Sequence, residues 1–154
     1  MSRALKVFAA IIISGVFLQL SSCLEITCID ETEAYVKVGF YSYSTKNPAS
    51  PDSLTLYGLN MDSAIYNKVK ITPPALFPLK DSSDVSTFII TINGINDTIE
   101  FRYWSFPHLV TKECGYSMFH TVDTIFFTRN AIDSIAKRNN NITTDYVENI
   151  SIFY

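Results

Sequence analysis

Between Thr87 and Trp104 the chain alternates apolar and polar side chains on both sides of an Asn-Gly step. Before the step, Phe88, Ile90 and Ile92 share one face. After it, Ile99, Phe101 and Tyr103 share one face while Glu100, Arg102 and Trp104 take the other. A period of two is the signature of a half-buried strand. Asn93 and Gly94 both tolerate the positive φ that a reversal needs. Two adjacent strands joined through such a step pair antiparallel, so the chain must accommodate a sheet with one dry face. The second strand is expected from Asp97, which makes the connection longer than two residues and leaves its turn type open.

The same alternation recurs elsewhere. Ala34 to Tyr43 put Val36, Val38 and Phe40 on one face and Tyr35, Lys37, Tyr41 and Tyr43 on the other. Leu54, Leu56 and Leu59 mark a second strand, and Lys68–Thr72 a short one that Pro73-Pro74 stops, as at a sheet edge or in a loop. Further strands are expected at 108–112, 116–119, 124–127 and 149–153. Residues 131–138 fit a helix or a strand, and Asn139-Asn140-Asn141 reads as a polar turn. Aromatic residues at 14%, with 11 Phe and 9 Tyr, favour strands. Strands at intervals near ten residues predict an all-β fold, an antiparallel β-sandwich of the immunoglobulin-like kind, with a small β-barrel as the alternative. The 154 residues suffice for one such domain.

The amino terminus has a different character. Arg3 and Lys6 precede Val7–Leu20, 14 residues without a charge. That is the n-region and h-region pattern of a secretory signal, and the run is short for a membrane-spanning helix. Leu20-Ser21-Ser22-Cys23 then resembles a bacterial lipobox. By that resemblance residues 1–22 are a lipoprotein signal peptide and Cys23 is the acylated first residue of the mature chain. The competing readings are an uncleaved anchor and an ordinary secreted protein cleaved near Ser22. Residues 23–33 are expected to form a lipidated tether and residues 34–154 a single β-rich domain. Removal of the signal takes the net charge from −3 to −5. Attachment to a membrane would then rest on the lipid rather than on charge.

Two cysteines remain after Cys23. In an oxidising compartment Cys28 and Cys114, 86 positions apart, read as one disulfide. Loop closure on that scale is worth roughly 4.5 kcal/mol. Two buried free thiols are the competing reading.

The order of these features resembles an uncharacterised domain-of-unknown-function family of Bacteroidota lipoproteins. The resemblance is carried by Cys23, Cys28, the Cys114-Gly115-Tyr116 step, Phe119 and the aromatic-tipped end Asn149–Tyr154. It implies a secreted β-rich lipoprotein, supplies no catalytic residues and favours a strand at 131–138.

Chemistry-bearing motifs are scarce. There is no G-x-S-x-G, P-loop, G-x-G-x-x-G or C-x-x-C. The two histidines, His108 and His120, are expected to be surface or strand-end residues, with no metal, no catalytic residue and no cofactor. Acids at 30–33 and 81–84 lack EF-hand spacing and read as solvated charge. A net negative charge argues against nucleic acid. Tyr35, Tyr41, Tyr43 and Trp104, opposite the inferred core, are candidate binding aromatics that can stack on a sugar or anchor a partner. Five Asp-Ser/Thr-apolar triplets, at Ser53, Ser63, Thr98, Thr124 and Ser134, look like the O-glycosylation motif of exported Bacteroidota proteins; turn chemistry explains them equally.

The expected function is a non-enzymatic cell-envelope lipoprotein, membrane-bound through Cys23, that binds an unknown envelope protein or glycan. A structural or assembly factor of the envelope is the alternative and an enzyme the least supported. Surface-exported lipoproteins resemble one another in an acidic run directly after the acylated cysteine, and Leu24–Thr27 carries one acid. A periplasm-facing position is therefore expected.

Overall fold

The computed structural model describes residues 27–154. The signal-like segment and Cys23 lie outside them. The described residues form ten strands and no helix: β1 Tyr35–Tyr41, β2 Leu54–Gly58, β3 Tyr66–Val69, β4 Ala75–Pro78, β5 Val85–Ile92, β6 Ile95–Thr111, β7 Gly115–Phe127, β8 Ser134–Lys137, β9 Asn141–Ile142 and β10 Ile150–Phe153. A four-stranded sheet has the order β4-β1-β10-β8 and a six-stranded sheet the order β3-β2-β5-β6-β7-β9. Every pairing is antiparallel except β1 with β10, where Val38 lies opposite Ile150 and Tyr41 opposite Phe153. The all-β expectation holds. One sheet is curled into a half-barrel, an arrangement compatible with either a sandwich or a small barrel.

The dry faces meet as the alternation predicts. Val36, Val38 and Phe40 of β1 are buried, as are Leu54 and Leu56 of β2, Ile90 and Ile92 of β5, and Ile99 and Phe101 of β6. Phe77 of β4 links the sheets, with its ring 5.4 Å from Phe88 and 6.3 Å from Phe101. The Phe77–Phe101 pair is edge-to-face and the Phe77–Phe88 pair tilted, and an edge-to-face pair at such spacing adds about 0.5–1.5 kcal/mol beyond burial.

Four local features differ from the sequence reading. The hairpin turn is two residues long, because Ile92 pairs with Ile95 and both Asn93 (φ 50°) and Gly94 (φ 90°) occupy the left-handed region. The strand thus begins two residues before Asp97, and the loop has the backbone of a type I′ turn. Residues 108–111 are the far end of β6, with Lys112 already in the turn, and 116–119 and 124–127 are the two ends of β7, rather than separate strands. Lys37 is buried rather than outward. The segment between β9 and β10 crosses the outer face of β1, where Thr143 O accepts a hydrogen bond from Lys37 Nζ at 2.8 Å. Burial lowers the Lys37 pKa, and Asp145 and Glu31 oppose that fall. Leu59 lies beyond β2 and is exposed.

Asp97 closes the base of the large sheet. It is buried and accepts hydrogen bonds from Thr128 Oγ1 (2.5 Å) and from the backbone N–H groups of Asn130, Ala131 and Ile132 (2.7–2.9 Å). Burial alone would raise its pKa, but the four donors outweigh it and the net shift is downward. This one carboxylate holds the chain where it leaves β7, and the segment read as helix or strand becomes β8 over Ser134–Lys137 by pairing with β10.

Candidate functional site

Past Arg102, β5 ends and β6 runs on with β7 alone. The two strands form an arm from Tyr103 to the turn at Thr111–Gly115. Pro107 is tolerated there for a simple reason. Tyr103 N–H points away from β7, to Asp84 O at 2.9 Å. Alternation sends the backbone nitrogens of Ser105 and Pro107 the same way, so the missing donor of Pro107 falls on an open edge. On β7 an extra residue, Asp123, sits where Arg102 opposes Thr124 and Tyr103 opposes Val122. That bulge lets Val122 and Ile125, three positions apart, both face inward.

The arm is fastened at its tip. Cys28 and Cys114 form a disulfide with Cα atoms 4.8 Å apart, as expected from the cysteine arithmetic. Farther along, Ser117 Oγ donates to Thr32 O, so residues 28–32 run beside β7. Between this segment, the end of β4 and the inner face of β7 lies a cleft of about 320 Å³. Tyr35, Asp81, Tyr116, Met118 and His120 line it.

His120 is the residue that sequence reasoning misplaced. It is 1% exposed, not a surface residue. Its Nδ1 lies 2.8 Å from Ser105 Oγ, its Nε2 lies 3.7 Å from Asp81 Oδ1, and its ring meets Tyr103 edge-on at 5.2 Å. Burial lowers its pKa, with Asp81 opposing, so the ring is neutral near pH 7. The neutral ring and the Ser105 hydroxyl share one hydrogen bond, whose direction is set by the ring's tautomer. Residues 81, 105 and 120 are too scattered for any spacing rule to have grouped them. A general base must come within about 2.6–3.2 Å of its partners and be open to substrate. Here the Asp81 carboxylate lies beyond that range, and the ring, although it lines the cleft, is almost wholly covered. His108 is exposed and stacks on Phe119 at 4.4 Å. Among the described residues no group of three His, Cys, Asp or Glu side chains is placed to hold a metal ion. No helix among them is long and apolar enough to cross a membrane.

The four candidate binding aromatics are distributed rather than gathered. Tyr35 and Tyr41 stand at opposite ends of β1, and both are half-buried. Tyr41 O–H donates to Glu148 at 2.9 Å, which with burial raises its pKa. Tyr43 lies beyond β1 under Lys46 Nζ, 3.9 Å from the ring centroid. Trp104 is on the other sheet and 63% exposed. It borders a recess of about 230 Å³ with Arg102 and the carboxylates of Asp84 and Asp123. Of the triplet hydroxyls, Ser63 lies in an exposed irregular loop, Ser53 precedes β2, Thr98 and Thr124 lie inside β6 and β7, and Ser134 opens β8. Missed by pattern reading were the exposed apolar residues of the arm, Phe106, Leu109 and Tyr116. Their signal was the Phe106-Pro107 step inside an otherwise alternating run.

No curated protein and no solved structure matches the chain. One family model does, over residues 53–154, which takes in β2 through β10 and every element of the arm except its disulfide partner. The chain therefore belongs to the family of unknown function DUF6452.

Proposed function

We propose that this is a lipid-anchored cell-envelope protein of the Bacteroidota type, facing the periplasm, whose domain is a non-catalytic binding module. The observation that carries the reading is the Cys28–Cys114 disulfide five positions after Cys23. Stable disulfides belong to oxidising compartments, and a lipobox-like cysteine after an uncharged run belongs to the same export route. The surface that best suits binding is the Trp104 recess. An exposed indole beside two carboxylates offers a stacking platform and hydroxyl acceptors together, which favours a glycan over an apolar peptide.

Mass spectrometry of the mature protein should find residue 23 as an acylated N-terminus. A mature chain beginning elsewhere would sink the envelope-anchor reading. Glycan-array binding should be present and should drop at least tenfold in Trp104→Ala. Binding only to a protein captured from crosslinked envelopes would instead replace the glycan with a protein partner.

A further inference from the structure

We propose that the tip of the β6–β7 arm rests in the headgroup layer of a phospholipid bilayer, with Ile29, Leu109 and Tyr116 as its contacts. This rests on the reading of Cys23 as the anchor. The chain outside the described residues is the N-terminal 26, and it enters the domain beside Cys28, which the disulfide fastens to Cys114 at the arm's turn. Five steps of about 3.4 Å set a reach of at most ~17 Å from Cys23 to that point. A lipid on Cys23 therefore brings this end of the molecule, and not the Trp104 recess, to the membrane.

The side chains at that end suit the position. Ile29, next to the bridge, is 90% exposed, Tyr116 is 73% exposed and Leu109 is 45% exposed. Leu109 and Tyr116 are directly opposed across the ladder and share a face. Three exposed apolar groups thus surround the point where the tether arrives. Tyrosine suits the water–lipid boundary, because its ring is apolar and its hydroxyl stays hydrated. Charge selects the lipid. Asp30, Glu31 and Glu113 outnumber Lys112 around the bridge, so the contact is with zwitterionic headgroups, and anionic lipid weakens it.

The test uses the full mature chain, acylation confirmed by mass spectrometry, in phosphatidylcholine–phosphatidylethanolamine vesicles carrying bromine-labelled acyl chains. Trp104 is the single tryptophan and stands about 17 Å along the arm from Tyr116. Its emission should stay unquenched. In the Trp104→Phe, Tyr116→Trp variant, emission should shift to the blue and lose at least half its intensity to the brominated chains. Adding phosphatidylglycerol should reduce that quenching. An acylated, vesicle-bound chain whose residue 116 stays unquenched would overturn this proposal and leave the anchor reading standing. An unacylated Cys23 would overturn both. Equal quenching at positions 104 and 116 would overturn the tip-first orientation. A blue shift without quenching that grows with protein density would assign the tip to a second copy of the chain instead.

Discussion

Strands β6 and β7 are continuous, yet their two ends live in different surroundings. In the proximal half, Ile99 and Phe101 are buried, with β5 on one side and the four-stranded sheet above. In the distal half the same ladder carries Phe106, Leu109 and Tyr116 in water and has one open edge. The proximal half is held by apolar burial and by the Asp97 network. The distal half is buried only near its base, at Tyr103, Phe119, His120 and Val122, where β9 pairs with β7; beyond that it is held by its own ladder, the disulfide and the Ser117–Thr32 hydrogen bond. Continuous pairing therefore does not imply uniform stability, since local opening follows apolar contact and not ladder length. The bulge at Asp123 is where one regime passes into the other.

Substitutions can break this contrast in graded steps. The largest effect is expected for Asp97→Ala, which strands Thr128 Oγ1 and three backbone N–H groups. Each buried unsatisfied donor costs about 1–3 kcal/mol, and water relieves some of them. A loss of about 4 kcal/mol in urea denaturation is expected, with β8 losing hydrogen-exchange protection first. Cys114→Ser comes next, at about 2–5 kcal/mol. Exchange should show protection lost along the arm while the proximal ladder stays protected up to the reduced global stability. A uniform loss would mean that the arm and the core are one cooperative unit.

Acid should act at the boundary between the halves. The His120 pKa is lowered by burial, so the unfolded chain takes up the proton first as pH falls. Its contribution to stability is complete above the unfolded value of about 6.5 and declines as pH falls through the lower folded value. The denaturation midpoint should thus drop on acidification below about pH 6.5, and His120→Gln should flatten that slope. Asp97 acts in the same direction farther down, its support being lost as pH falls through its depressed folded value, below the ordinary 3.8. The smallest effect is expected for Leu109→Ala with Tyr116→Ala. Both side chains are exposed, so the change should stay within about 0.5 kcal/mol. A cost above about 1.5 kcal/mol would mean that these residues serve the fold of the arm rather than an outside surface.

How much of this was legible depends on how local each cause is. The Asn93-Gly94 reversal and the inward faces of β1, β2, β5 and proximal β6 follow from side-chain alternation, a property of neighbours. The cysteine pair follows from counting. The unity of β7 was hidden because the extra residue at Asp123 shifts the period, and the unity of β6 because Pro107 reads as a strand breaker until the open edge beside it is known. Trp104 was placed on the outer face correctly, but nothing in the sequence put Asp84 and Asp123 next to it.

By itself, the sequence determined an all-β chain and named the one cysteine pair that could bridge it, because periodicity and cysteine number need no knowledge of what is far away. Only the tertiary structure decided that Lys37 and His120 are buried, that β1 pairs in parallel with β10, and that the tip of one long hairpin meets the start of the domain. Each of those depends on which distant segment covers a given face. A residue's own neighbours say where its side chain points, and the packing of segments a hundred residues apart says whether water is there to meet it.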